Sequence, residues 1–113
     1  MAKYECDLAG DFYTILGEIE NAVLNGSMSA SKEDYSELSI GDCKCAVRVY
    51  ERYSWMGGNR VSMNVTMVES NGRIRLSAIT SGGSQAMFFK VNTFGEDAFL
   101  DTISEVVKRY QIG

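Results

Sequence analysis

Residues 61–78, which read VSMNVTMVESNGRIRLSA, decide the fold because they predict a β-hairpin of fixed register. Apolar and polar side chains alternate on both sides of Asn71-Gly72, as they do in strands that bury one face. Asn-Gly is the preferred two-residue loop of a tight hairpin. A loop at that point pairs Met67 with Leu76 and gathers the apolar residues on one face, whereas a slip by one residue would scatter them.

The apolar face is predicted to continue into a second hairpin. Gly82-Gly83 is another two-residue turn, which would place Leu76 opposite Phe89 in a strand that also contains Met87 and Val91. Both turns keep the apolar residues on one face. Because the two signals are independent, their agreement favours a sheet of consecutive antiparallel strands.

An upstream strand is predicted from the alternation in residues 43–50. We assign its cysteines and alternate valines to the buried face: Cys43, Cys45, Val47 and Val49. A hairpin around residues 54–58 then places Val49 opposite Met63. In this interpretation Cys-x-Cys supplies small core side chains rather than a disulfide or a metal site.

The N-terminal part of the chain predicts a strand followed by a helix. Residues 3–8 alternate, and residues from Asp11 to about Leu24 carry the apolar stripe of an amphipathic helix. Asp11 is a suitable N-cap, and Asn25-Gly26 is a common helix stop. The polar stretch that follows predicts one or two short edge strands, including Met28–Lys32 and Glu37–Ile40.

The C-terminal part predicts one continuous helix. Thr93-x-x-Glu96 has the form of a capping box, and an apolar stripe runs from Phe99 to Tyr110. The element order β-α-β(4–5)-α predicts a single α+β domain over residues 1–113. We expect two layers, with two α-helices on one face of an antiparallel β-sheet of about five to six strands. The expected core is Cys45, Val47, Val65, Met67, Leu76, Ala78, Phe89, Phe99, Ile103 and Val106.

Composition excludes several classes of protein. The 113 residues contain no histidine, so triads and the commonest metal ligand are absent, and we expect no catalytic site, no metal and no cofactor. The net charge of −4 argues against a dedicated nucleic-acid binder. Three cysteines without an apolar N-terminal signal segment indicate reduced thiols and a cytoplasmic location. No apolar run is long enough for a membrane span, so we expect no membrane partner.

Two resemblances add to this interpretation. The element order resembles the helix-grip architecture of START and Bet v 1-like domains, which implies an apolar ligand cavity between the last helix and the sheet. The runs RVYERYS at residues 48–54 and SAITSGGSQ at residues 77–85 resemble a family of small uncharacterised bacterial proteins. That second resemblance implies a small bacterial cytoplasmic protein of no known activity.

One end of the predicted sheet is a candidate small-molecule site. Polar groups there fall in or beside the apolar rows, next to glycine-rich loops, as a small polar ligand would require. The candidate ligand-binding residues are Glu51, Trp55, Arg60, Met63, Thr80, Gln85 and Met87. The alternative is that the strands outrun the helices at this end and leave these polar groups in solvent.

The opposite sheet face is a candidate partner surface, because basic and aromatic residues are predicted to share it. Its members are Arg48, Tyr50, Arg73, Arg75, Ile79, Phe88 and Lys90. A second copy could cover this face in a homodimer, RNA could bind it although this is not favoured, or it could simply be solvated.

The leading functional hypothesis is a non-catalytic binding domain that accepts a small or apolar ligand at the helix–sheet cleft. The alternative is a protein-interaction module that self-associates through its open sheet face. An enzyme is not expected, since Glu51 is the best candidate acid or base and has no visible catalytic partner.

Overall fold

The computed structural model describes residues 1–53, 60–82 and 91–112. Its elements are β1 (Ala2–Leu8), α1 (Phe12–Asn25), β2 (Ser31–Ile40), β3 (Cys43–Tyr53), β4 (Arg60–Ser70), β5 (Arg73–Gly82), α2 (Val91–Asp101), α3 (Ser104–Tyr110) and β6 (Gln111–Ile112). The strands form one six-stranded sheet in the order β2-β3-β4-β5-β1-β6, and every neighbouring pair is antiparallel. The predicted α+β class, with helices against an antiparallel sheet, is confirmed.

The β4–β5 hairpin has the register that its sequence predicts. Ser70 pairs with Arg73 and Met67 pairs with Leu76. Both turn residues adopt left-handed backbone conformations, with φ of 53° at Asn71 and 74° at Gly72. A type I′ turn requires positive φ at both central positions, which explains why Asn-Gly stands there.

Strand β3 turns towards the core the face opposite to the one that was predicted to be buried. Tyr50, rather than Val49, pairs with Met63, and Arg48 pairs with Val65. The hairpin closes by pairing Tyr53 with Arg60, one residue beyond the predicted partner. Because side chains alternate with a period of two, that single residue turns the whole strand over.

The predicted second hairpin is also wrong in its pairing. The edge of β5 that was assigned to Phe89 is occupied by β1, in which Cys6 pairs with Leu76. Val91 begins helix α2 rather than ending a strand. Gly83, Met87 and Phe89 lie outside the described residues. Strand β1 carries the same apolar alternation and competes successfully for this edge, since a turn signal specifies a chain reversal but not a partner strand.

Helix α1 forms as predicted. The Asp11 carboxylate accepts a hydrogen bond from the Thr14 amide at 3.0 Å, and the Gly26 amide closes the last turn on the Val23 carbonyl. The helix buries one stripe: Phe12, Ile15, Leu16, Ile19 and Val23.

The prediction of one continuous C-terminal helix is wrong, because the helix is interrupted at residues 102–103, between α2 and α3. There the Thr102 hydroxyl donates to the Phe99 carbonyl at 2.7 Å, and the Ser104 hydroxyl donates to the Asp101 carbonyl at 3.0 Å. Such side-chain bonds compete with the helical ladder. Helix α2 starts at Val91, ahead of the predicted cap, and the buried Glu96 carboxylate accepts from the Gly82 amide at 2.5 Å.

The edge strand β2 is one strand of ten residues rather than two short ones. It follows a turn at residues 28–29 and reverses into β3 through Gly41, whose φ is 59°. A register shift between Lys32 and Asp34 marks a β-bulge. Bulges and charged side chains are common on edge strands, where they hinder uncontrolled pairing.

The core lies between the helices and the inner face of the sheet, by which we mean the face that carries Met63, Val65 and Met67. Seven predicted core residues are buried there: Val65, Met67, Leu76, Ala78, Phe99, Ile103 and Val106. Cys45 and Val47 are only half-buried because the reversal of β3 places them on the other side, and Phe89 lies outside the described residues.

Candidate functional site

The sheet face turned away from the helices, here called the outer face, carries a continuous apolar area. We define the outer apolar patch as Leu38, Ile40, Cys43, Cys45, Val47, Val49 and Val68. The register joins its members across three strands, since Cys45 pairs with both Leu38 and Val68. Leu38 is 62% exposed and Ile40 is 84% exposed, while the β3 members and Val68 are half-buried. The patch is therefore accessible apolar surface at the side of the sheet that ends in β2.

The remainder of the outer face, on β4, β5 and β1, is mostly polar apart from Ile79, and some of its polar side chains pair with one another. Arg75 contacts the Asp7 carboxylate at 2.8 Å, and the Ser77 hydroxyl donates to Glu5 at 3.0 Å. A shallow depression of about 220 Å³ lies beside these pairs and reaches Thr66 and Val68. Charged side chains thus border the outer apolar patch, and none of its seven members is charged.

Two residues predicted for the partner surface lie on the inner face instead. Tyr50 is fully buried and its hydroxyl donates to Glu20 at 2.9 Å. Arg48 is 9% exposed and contacts Glu37 at 2.8 Å and Glu20 at 3.9 Å. Burial, reinforced by the bond to Glu20, raises the pKa of the Tyr50 hydroxyl above its ordinary value. Placing Arg48 and Tyr50 on the outer face was wrong, because the strand is reversed.

The inner-face charge of Arg48 is balanced by the acids that surround it. Hydrogen bonds from Arg48 and then from Tyr13 lower the pKa of the Glu37 carboxyl. The Tyr35 ring also lies 5.4 Å from the Arg48 guanidinium carbon, close enough for a cation–π contact. A buried arginine with two acidic neighbours is stable where an isolated one would not be.

Of the other predicted partner residues, some lie on the outer face and some lie outside the described residues. Arg73, Arg75 and Ile79 do lie on the outer face and are exposed. Phe88 and Lys90 lie outside the described residues. The expected basic and aromatic surface is therefore, in its described part, an apolar patch on β2 to β4 beside a mostly polar region that contains Arg60, Arg73 and Arg75.

The predicted ligand residues are separated by the sheet. Glu51 and Arg60 form an ion pair on the outer face at 2.7 Å. Met63 and Thr80 are fully buried on the inner face, where the Thr80 hydroxyl donates to the Glu96 carbonyl at 3.1 Å. Trp55, Gln85 and Met87 lie outside the described residues. The structure therefore does not bring the four described members into one site.

Comparison with known proteins identifies a family. The model of a family of unknown function, DUF6054, matches residues 1–111. The chain belongs to DUF6054. No curated protein matches this DUF6054 chain, and no solved structure matches it. In the described part of the chain, no helix has both the length and the hydropathy that crossing a membrane requires.

The residues that sequence reasoning missed in this DUF6054 chain are those of the outer apolar patch. Leu38-Ser39-Ile40 alternates within an otherwise polar segment, which was the available signal that one face of β2 is apolar. The β3 members were noticed as apolar but were assigned to the core. A correct register for β3 would have placed them beside Leu38 and Ile40.

Proposed function

We propose that this DUF6054 chain is a non-catalytic protein-interaction domain that self-associates through its outer face. The outer apolar patch carries the proposal, because Leu38 and Ile40 remain 62% and 84% exposed. Contiguous exposed apolar surface of this kind marks interaction sites. A symmetric dimer brings the same patch of two copies together, so the patch must be compatible with itself.

The size of the outer face supports a second copy of the chain as its partner. Five strands spaced about 4.8 Å apart, each contributing about nine residues with a rise of about 3.3 Å, make a surface of about 700 Å². A standard stable interface buries about 800 Å² per partner. Two outer faces packed against each other therefore approach that area, as in the face-to-face packing of β-sandwiches.

The charge distribution favours a second copy over RNA. The outer apolar patch is neutral, so its own residues meet without repulsion between like charges, and the charged residues of β5 and β1 lie outside it. Arg60 contacts Glu51 and Glu33, and Arg75 contacts Asp7, so acids already balance these outer-face bases. RNA binding would need uncompensated positive charge on a chain whose net charge is −4.

Analytical ultracentrifugation tests the proposal. We expect the wild type to sediment as a dimer at micromolar concentration, and to remain so in 1 M salt because the contact is apolar. Leu38→Lys combined with Val47→Lys should give a monomer that stays folded. Met28→Lys is the matched control, since Met28 is fully exposed in the loop before β2 and lies away from the patch.

A wild type that stays monomeric at about 100 µM contradicts the proposal. So does a dimer that survives the double lysine change. A short RNA should not alter the sedimentation of any variant, and a stable RNA complex that dissociates with salt would replace self-association with nucleic-acid binding.

Binding of a small ligand at the helix–sheet cleft is the second proposal. It is favoured by a cleft of about 130 Å³ between α1 and β3 that is lined by Tyr13, Gly17, Glu20 and Arg48. Apart from the adjoining residues and backbone of α1 itself, no atom lies within 4 Å of the position that a Gly17 side chain would occupy, so the cleft is open there. Its volume is below the roughly 300 Å³ at which ligand pockets begin, which is why it ranks second. Native mass spectrometry of protein purified from its own host should show a bound small molecule, and Gly17→Leu should remove it.

We also propose that the protein is bacterial and cytoplasmic. The three cysteines are unpaired, which is what a reducing compartment favours.

A further inference from the structure

Strand β1 has an edge that is only partly covered. It pairs with β5 along its whole length, from Ala2 to Leu8. On its other side β6 pairs with Asp7 and Leu8, and no other strand of the described residues adjoins that edge. Within the described residues, the backbone from Ala2 to Cys6 therefore has no neighbouring strand at this edge, because β6 ends before it.

The hydrogen-bonding groups on this edge can be assigned. The Ala9 amide donates to the Tyr110 carbonyl at 2.8 Å, so the backbone groups of odd-numbered β1 residues point towards β6. Because backbone groups alternate along a strand, those of even-numbered residues point the other way, towards β5, and the Ala2 carbonyl accordingly lies 3.5 Å from the Thr80 hydroxyl. The N–H and C=O groups of Lys3 and Glu5 consequently point towards the partly covered edge.

A groove accompanies this edge on the inner side of the sheet. It encloses about 190 Å³ and is lined by Tyr4, Asp97, Leu100, Asp101, Ile103, Ser104 and Lys108. Its floor is apolar, from Tyr4 of β1 and from Leu100 and Ile103 at the α2–α3 junction. Asp97 and Asp101 stand one helical turn apart and are exposed at its rim. Lys108 is also exposed at the rim and offsets one of the two carboxylates, so the rim keeps one net negative charge. An apolar floor with such a rim favours an apolar group with a basic neighbour.

We propose that this edge binds an extended peptide strand that carries an apolar residue followed two positions later by arginine or lysine. The peptide would continue the line of β6, antiparallel to β1. In that register the residue opposite Tyr4 turns its side chain into the groove, because Tyr4 lies on the inner face opposite Ala78.

The charge placement follows from the same register. Thr80, which pairs with Ala2, bonds to the Glu96 carbonyl, so the next residue, Asp97, stands near the Ala2 end of the groove. A basic side chain opposite Ala2 therefore meets Asp97. A second basic residue opposite Glu5 would meet that exposed acid on the outer side.

Nuclear magnetic resonance with a designed peptide tests the proposal. The probe is acetyl-Lys-Ile-Thr-Arg-Thr-amide, in which isoleucine is placed opposite Tyr4 and arginine opposite Ala2, and which stops short of Asp7, where Ile112 already pairs. Titration into the ¹⁵N-labelled full chain should give saturable shifts of the Lys3 and Glu5 amides and of groove residues such as Leu100 and Ser104.

Two N-methylated peptides distinguish strand pairing from other binding. In the probe, the amides of lysine and the central threonine face β1, because these residues oppose Glu5 and Lys3. Methylating both should weaken binding about tenfold or more, since two hydrogen bonds are lost. Methylating the isoleucine amide, which faces away from β1, should leave the affinity within about twofold. Equal effects of the two modifications contradict the proposal.

Matched protein variants test the acidic rim. Asp97→Asn should weaken the probe about two- to fivefold, as the loss of an exposed charge pair does. Glu105→Gln removes the same charge from an exposed position outside the groove and should have no effect. The monomeric Leu38→Lys/Val47→Lys variant should bind the probe as the wild type does, so failure of self-association leaves this result interpretable. The proposal is overturned if 2 mM peptide produces no saturable shifts. It is also overturned if the Lys3 and Glu5 amide signals shift with protein concentration and not with peptide concentration.

Discussion

Tyr50 is the position at which the reversal of β3 can be tested most directly. Its ring is fully buried against the helices, and its neighbour Val49 is half-buried on the outer face. If the strand had the opposite orientation, the consequences of truncating the two residues would be exchanged. Comparing Tyr50→Ala with Val49→Ala therefore measures the orientation itself.

The magnitudes follow from the burial. Tyr50→Ala removes about 120 Å² of buried ring at about 25 cal/mol per Å², or about 3 kcal/mol, and the cavity term brings the expected loss to about 3–5 kcal/mol. Val49→Ala removes two methyl groups that are half in solvent, so we expect a loss of about 0.8 kcal/mol or less. Tyr50→Phe keeps the ring and loses only the hydrogen bond to Glu20, which should cost about 1 kcal/mol.

Urea denaturation followed by circular dichroism measures these differences, at a concentration where sedimentation shows separate subunits. A double-mutant cycle of Tyr50→Phe with Glu20→Gln should give a coupling energy of about 1 kcal/mol, because the two side chains share one hydrogen bond. Equal losses for Tyr50→Ala and Val49→Ala, or a greater loss at Val49, would refute the assigned orientation of β3.

Four further outcomes are expected in the same denaturation assay. Because the folded state raises the pKa of Tyr50, the unfolded chain loses that proton first, so stability should fall as pH rises above about 10, and Tyr50→Phe should reduce this fall. Leu76→Ala should cost about 2–5 kcal/mol as a core truncation, and a loss below about 1 kcal/mol would contradict its burial. Gly72→Ala should cost about 1–2 kcal/mol because alanine disfavours a φ of 74°, whereas Gly72→Asn should cost less. Thr80→Val should cost about 1 kcal/mol, because the buried Glu96 carbonyl loses its hydroxyl donor. An unchanged urea midpoint would show that this hydrogen bond does not stabilise the fold.

Sequence patterns predicted the parts of the fold that depend on local chemistry. The β4–β5 register followed from Asn71-Gly72, since the turn type and the apolar alternation specify the same pairing. Helix α1 followed from its cap and stripe. The break between α2 and α3 was missed because the apolar stripe continues across it, whereas the break coincides with hydroxyls of Thr102 and Ser104 that bind carbonyls of the preceding turn.

The orientation of β3 could not be predicted because both of its faces contain apolar atoms. One face offers Cys45, Val47 and Val49, and the other offers Tyr50 and the long stem of Arg48. Burying Arg48 is acceptable only because Glu20 approaches it from α1, which is distant in sequence, and Glu37 from the neighbouring strand β2. The patch was missed together with this orientation, since the four β3 side chains that were assigned to the buried face belong to the outer apolar patch.

The position of β1 in the sheet has a consequence for the order of folding. Strands β2 to β5 are joined to their neighbours by short connections, so they can pair soon after each is available. Strand β1 must instead join β5 across a separation such as that between Cys6 and Leu76, and closing so long a loop costs chain entropy before any contact compensates for it. We therefore expect the β2–β5 meander to form early and β1 to dock late, with amide protons of β1 gaining protection after those of β4. Until it docks, β5 is an exposed apolar strand edge, and this interval is when chains synthesised at high concentration should be most prone to aggregate.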